Sequence, residues 1–213
     1  MGILSKPLTW LGLSAAAAVV MFGLAAWVLS TPRVAPPTGA SANGSGLAAD
    51  IVIPAKSMAA PDFTLTDQNG KPLTLSSLRG RVLAITFLDS HCKQLCPLEG
   101  DQLAQTQRAL GSKSGWSLLV VSVAPATDSP DSERVFASAH HWTGDWHWLN
   151  GSADQLATIW KAYSIAVQDS ADNVLHTTVL YLVDRDGYER AGWAAGIQSD
   201  RLAHDVRLLN GGA

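Results

Sequence analysis

Two cysteines, Cys92 and Cys96, are the only ones in this 213-residue chain. They stand four positions apart, and Pro97 follows at once. So close a pair cannot be a multi-bridge scaffold; outside the cytoplasm it is either a disulfide or a metal site. The thiolate is the reactive form in both chemistries, and a helix N-terminus favours it. The segment Thr86–Pro97, TFLDSHCKQLCP, leads from an apolar run into a helical one, so both thiols meet that helix start. Pro97 suits the first helical position, which leaves the cysteines in the preceding loop. If residues 92 to 96 already turn, i,i+4 spacing sets both sulfurs on one face. Either arrangement lets the sulfurs converge on one metal ion, or close a bridge if the Cβ atoms lie about 3.5–4.5 Å apart. Copper(I) is soft and prefers thiolate, and an imidazole would complete a low-coordinate site for both copper oxidation states. His176, just ahead of an apolar run, is the best candidate for it. Taken alone, a single histidine there reads as a hydrogen-bonded loop residue.

The other histidines point elsewhere. His91 precedes Cys92, and a loop histidine facing water is the plainer reading. His140, His141 and His147 lie among Trp142, Trp146 and Trp148, where aromatic packing explains the cluster better than metal binding.

The elements that must hold these residues alternate. Val82–Leu88, Ser117–Val123 and Thr177–Val183 are near-continuous apolar runs rich in β-branched residues, as in strands covered on both faces. Helical patterns lie between them, over Pro97–Leu110 with Gly111 as a cap and from Ser129 or Pro130 to about His140. Ser152 with Gln155 forms a capping box, and Leu156, Ile159, Trp160 and Tyr163 follow at helical spacing. Upstream, Phe63–Thr66 and Pro72–Leu75 flank Asp67–Gly70, whose Asn-Gly favours a hairpin. Downstream, a turn at Asp184–Gly187 leads into Tyr188–Trp193 as an antiparallel partner, then a helix from about Ser199 to Leu209. The class is α/β. In such sheets functional groups gather at the carboxyl ends of strands, and the cysteines directly follow the strand ending at Leu88.

The N-terminus has a different composition. After a short segment, residues 1–7, the run Leu8–Ser30 contains no charge, and about 20 apolar residues span a bilayer. A transmembrane anchor over 8–30 is therefore expected, with cleavage near Ala40–Ala42 as the alternative. Lys6 before the span and Arg33 after it lean slightly toward a cytoplasmic N-terminus, with the domain on the far side. Residues 31–58, rich in Pro, Ala, Gly and Ser, read as a flexible tether, and 59–213 as the folded domain. Beyond Arg33 lie 13 of the 15 Lys and Arg residues and all 18 acidic ones, which argues against a nucleic-acid partner.

On these residues the chain resembles the Sco/SenC copper chaperones of respiratory oxidase assembly, over about Pro61 to Leu209. The family's apolar strand ending in C-x-x-x-C-P matches Ile85–Pro97, a spacing unlike the C-x-x-C of ordinary thioredoxins. Its distal histidine precedes a run ending in aspartate, as His176–Asp184 does. The family usually has proline after the first cysteine, where Lys93 stands, and aspartate after the second strand, where Ala124 stands. The resemblance implies a thioredoxin-like fold with an N-terminal β-hairpin extension, preceded by one transmembrane helix. It carries over Cys92, Cys96 and His176 as copper ligands, with the cysteines a redox-active pair able to form a disulfide. It further implies delivery of copper to the binuclear site of cytochrome c oxidase. The partners would be that oxidase's copper-bearing subunit and an upstream copper donor or thiol reductase. An unprocessed start with little positive charge resembles a bacterial anchor, so the expected place is the inner membrane, single-pass, with the domain periplasmic.

A thiol-disulfide reductase is the alternative, Cys92 attacking and Cys96 resolving. Ordinary reductases carry a cis-proline before the facing strand, where Thr177 and Thr178 stand. A peroxiredoxin needs a proline and threonine upstream of its cysteine, where Asp89, Ser90 and His91 stand. A non-catalytic domain with a static disulfide would resist reduction.

Overall fold

A run in which every residue is apolar or small can lie between two covering layers, and Val82–Leu88 does: all seven of its residues are buried. The computed structural model describes residues 45–111, 115–170, 173–194 and 196–211. The segment 1–7, the anchor expected over 8–30 and tether residues 31–44 lie outside the described residues. Among the described residues no helix is long and apolar enough to cross a membrane.

The chain runs β1 (Ile51–Val52), β2 (Thr64–Asp67), β3 (Pro72–Thr74), β4 (Val82–Leu88), α1 (Leu95–Leu110), β5 (Trp116–Ser122) and α2 (Pro130–Ala139). It continues through β6 (Trp146–Asn150), α3 (Ala153–Ala162), β7 (Val167–Ser170), β8 (Asn173–His176), β9 (Val179–Val183), β10 (Glu189–Ala194) and α4 (Ser199–Leu209). One sheet has the order β1-β10-β9-β4-β5-β6-β2-β3, and β7-β8 form a second, two-stranded one. β4 and β6 flank β5 in parallel, whereas β9 joins β4 antiparallel, with Thr86 opposite Leu180.

The pleat of β4 sends alternate residues to opposite layers. Val82, Ala84 and Leu88 pack with Leu103 of α1, Phe136 of α2 and Leu202 and Val206 of α4. Leu83, Ile85 and Phe87 pack with Leu156 and Ile159 of α3 and with Phe63, Leu65 and Leu73 around the entry hairpin. That hairpin pairs Thr64 with Thr74, and its turn closes through Gly70 at φ 74°. The expected capping box at Ser152 and Gln155 is present.

Four differences from the sequence reading bear on the site. α1 begins at Leu95 rather than Pro97, because a proline is tolerated anywhere in the first turn, where its missing N–H has no intrahelical partner. Cys96 is thus helical and Cys92 lies in the loop. The apolar run expected from Thr177 starts as a strand only at Val179, and His176 instead ends β8 of an unexpected hairpin, opposite Val167. Four-residue strands of mixed polarity such as VQDS and NVLH carry little periodic signal. Trp146–Asn150, explained from sequence only as aromatic packing, is a strand.

The last difference concerns the tether, which packs against the domain from residue 45 onward. Leu47 is 1% exposed within the α1/α4 layer, Ala48 N donates to Asp205 Oδ1 at 2.7 Å, and β1 pairs with β10. Composition describes the segment as a whole, and a few apolar residues within it suffice to bind an open sheet edge. Leu47→Ala should therefore cost about 2–5 kcal/mol, the usual loss for a buried leucine. Denaturant unfolding checks this; an unchanged midpoint would mean that residue 47 belongs to a free tether.

Candidate metal centre

The carboxyl end of β4 is a fixed exit point, and the loop leaving it is held by side chains. Asp89 Oδ1 accepts from His91 N at 2.7 Å, and Cys92 N donates to Asp89 O at 3.2 Å, a turn of the kind aspartate initiates. Asp128, beyond β5, accepts from Ser90 N at 2.9 Å, Ser90 Oγ at 2.6 Å and Ser122 Oγ at 2.5 Å. Its burial raises its pKa, against which these three donors work. The loop is thus stiffened without a proline after Cys92, and Asp128 supplies a carboxylate to this loop although Ala124 stands two positions after β5.

The helix that follows starts without an oxygen cap. Gln94 occupies the cap position and its side chain makes no capping hydrogen bond. The sulfur of Cys92 takes that place, accepting from the backbone N–H groups of Gln94 and Cys96. It also accepts from the Cys96 thiol. That hydrogen bond, followed by the backbone donors and opposed by burial, holds Cys92 down at about 5. The neighbouring Cys92 sulfur, then burial, push Cys96 up. One proton is shared by two sulfurs, and the outer one is the thiolate. Cys92 is partly exposed, Cys96 is 2% exposed, and both are free.

The β7-β8 hairpin brings the third group. His176 Nε2 lies 4.0 Å from Cys96 Sγ, across 80 positions of chain. His176 Nδ1 lies 3.1 Å from the carbonyl of Thr177. A carbonyl can only accept, so Nδ1 carries the proton and Nε2 presents its lone pair toward the sulfurs. Metal bonds of about 2.3 Å to sulfur and about 2.0 Å to imidazole, the lengths zinc shows, span up to about 4.3 Å. A separation of 4.0 Å therefore admits a single ion between them. Two sulfurs, one already a thiolate, and an imidazole held in its ligating tautomer fit a soft cation.

The three groups line one cleft of about 70 Å³, together with Gln94, Leu95, Glu99, Val174, Leu175 and Thr178. Glu99 is the residue that sequence reading missed. It follows Cys96 by one helical turn, is 6% exposed and accepts a short hydrogen bond from Thr86 Oγ1. Burial, and then the Cys92 charge, raise it to about 7 against that hydrogen bond. Its signal, an acid three positions after the second cysteine, becomes legible only once the helix is known to start at Leu95.

The remaining histidines stay apart from the cleft. His91 is half-exposed and lies 3.9 Å from both Asp89 and Asp128, whose oxygens already accept from His91 N and from Ser90 and Ser122. His140 Nδ1 pairs with Asp101 at 2.7 Å and its ring packs on Phe136. His147 bridges Asp67 and Asp145 at 3.4 and 3.2 Å. Trp142 stacks on Trp148 and meets Trp146 edge-on, as aromatic packing requires.

A mixed sheet with a parallel β4-β5-β6 core and a cysteine pair at its first core helix, plus a histidine on an added hairpin, defines a thioredoxin-like domain with a thiolate–imidazole site. The chain belongs to the SCO1/SenC family, whose profile matches residues 53–209. It is 33% identical over 136 residues to the mitochondrial protein SCO2 of Saccharomyces cerevisiae, covering 59% of this chain and 44% of that protein. The chain thus spans less than half the length of that relative. It is 29% identical over 133 residues to the SCO1 protein homolog of Bacillus subtilis, covering 59% of this chain and 68% of that one. The Bradyrhizobium japonicum ScoI structure with copper bound superposes with a TM-score of 0.62 at 27% identity, covering 71% and 98% of the two chains.

The unequal sharing of one proton is testable. Alkylation of the reduced protein should report a nucleophile titrating near about 5. In Cys96→Ala that midpoint should rise toward the ordinary thiol value of about 8.5, because the largest donor to the Cys92 sulfur is gone. A wild-type midpoint already at the ordinary value would refute the arrangement.

Proposed function

We propose that this chain is a copper metallochaperone that binds copper through Cys92, Cys96 and His176. It then passes the metal to the binuclear copper site of a cytochrome c oxidase during assembly. The observation that carries this reading is His176 Nε2 facing the Cys96 sulfur at 4.0 Å, with the opposite ring nitrogen tied to a carbonyl. Two soft sulfurs favour copper(I), and the imidazole keeps copper(II) acceptable. The partly exposed Cys92 is the ligand through which exchange with a recipient would begin, since it borders both the cleft and solvent. Copper in the related ScoI structure supports the choice of metal.

In this reading residues 8–30 anchor the chain in the inner membrane. The segment between the anchor and residue 45 gives the domain its reach on the periplasmic side. The recipient is the oxidase's copper-bearing subunit, and an upstream copper donor or thiol reductase charges the site.

The exposed thiolate and buried thiol also favour a second reading, as a thiol-disulfide reductase. Cys92 would attack a partner disulfide and release one partner thiolate. Cys96 would then displace the second, leaving the partner reduced and a Cys92–Cys96 disulfide behind. The two readings differ in whether metal is held.

The reduced protein should bind one copper with thiolate-to-copper charge-transfer absorption. Cys92→Ser and Cys96→Ser should abolish that band, and His176→Ala should weaken binding by at least about tenfold. Copper analysis and absorption spectra of the four proteins decide it: no copper with ready disulfide cycling would make this a reductase. Because a metal ligand must be a free thiolate, the oxidised protein should bind almost no copper. Equal binding by oxidised and reduced protein would exclude the cysteines as ligands.

A further inference from the structure

A carboxylate is expensive to bury without a counter-charge. Glu99 is 6% exposed, yet its hydrogen-bond partner is neutral Thr86, whose single hydroxyl proton is shared with the Val179 carbonyl 3.2 Å away. No basic side chain ion-pairs with Glu99 among the described residues, and the charge that acts on it is the like charge of Cys92. Hydrophobic packing would serve this position better if nothing positive ever came to it. The carboxylate nevertheless lines the same cleft as Cys92, Cys96 and His176. Helical spacing places it on the face of α1 that Cys96 occupies.

We infer that Glu99 is a fourth, oxidation-state-selective ligand of this cleft, whose carboxylate binds copper(II) and is dispensable for copper(I). The inference rests on the copper reading above. A hard oxygen donor adds much to the affinity of a divalent ion that prefers four tetragonal N,O-rich contacts, and little to that of a soft monovalent one satisfied by sulfur. The carboxylate also supplies the negative charge that matches the extra positive charge of the oxidised ion, and the ion supplies the cation that Glu99 lacks. The three ligands inferred from sequence would hold the reduced metal, and the fourth would let the domain retain it when oxidised.

Glu99→Gln keeps an acceptor for Thr86 while removing the charge, and Glu99→Asp keeps the charge while withdrawing it by one methylene. Copper(I) and copper(II) dissociation constants of the full chain, and the midpoint potential of the bound metal, are measured for both variants and wild type. The expected result is a copper(II) affinity at least about tenfold weaker in both variants with copper(I) affinity unchanged. The midpoint would rise by at least about 59 mV, the one-electron equivalent of tenfold. If Glu99→Asp retains wild-type copper(II) affinity, the carboxylate acts through space and is not a ligand. Equal loss of both oxidation states, or loss of neither, also overturns the inference. A wild-type chain that binds no copper overturns the copper reading itself and this inference with it, an outcome distinguishable from failure of the variants alone.

Discussion

The first N–H groups of a helix need acceptors, and α1 offers no side-chain oxygen to meet them. Sulfur meets them instead. The Cys92 sulfur caps the helix and also accepts from the Cys96 thiol; that thiol first, and the backbone donors after it, make Cys92 the thiolate and leave the proton on buried Cys96. Capping, acidity and the division of labour between the two cysteines are one interaction seen three ways. The position of that interaction depends on β4, which both core layers clamp, so its carboxyl end cannot drift. Whatever the cleft binds or attacks is approached through a sulfur anchored to the most buried strand of the sheet.

Around this anchor the polar groups divide into two sets. Ser90 and Ser122 donate to Asp128, Asp89 accepts from His91 N, and together they hold the loop. This web stands in for loop rigidity that a proline after Cys92 would otherwise supply. Glu99 belongs to the other set: it is buried with a single shared hydroxyl and faces the cleft. Asp128 is saturated by donors, whereas Glu99, with one shared hydroxyl, lies beside the sulfurs.

The β7-β8 hairpin performs the other half of the assembly. It lies outside the main sheet and delivers His176, Val174 and Leu175 over the start of α1. Leu95 and Leu175, which line the cleft, are each more than half exposed, so the rim is apolar while the floor is ionisable. An apolar rim limits water around the sulfurs and strengthens electrostatics within the cleft.

The residues alone determined the central strand, the hairpin turn at Gly70, the capping box of α3 and the α4 boundaries, because each is encoded by neighbours within a few positions. They also singled out Cys92 and Cys96, whose spacing is local, and through family resemblance His176. Tertiary structure decided what depends on distant partners. β1 pairs only because an open edge at β10 awaits it, Leu47 packs only because the α1/α4 layer is there to receive it, and the short β7-β8 strands gain definition from each other rather than from periodicity. Which sulfur keeps the proton, and that Glu99 joins the cleft, depend on burial and on where α1 begins. Spacing along a chain can place chemistry on one face, but desolvation and the sharing of a proton exist only once the faces have closed.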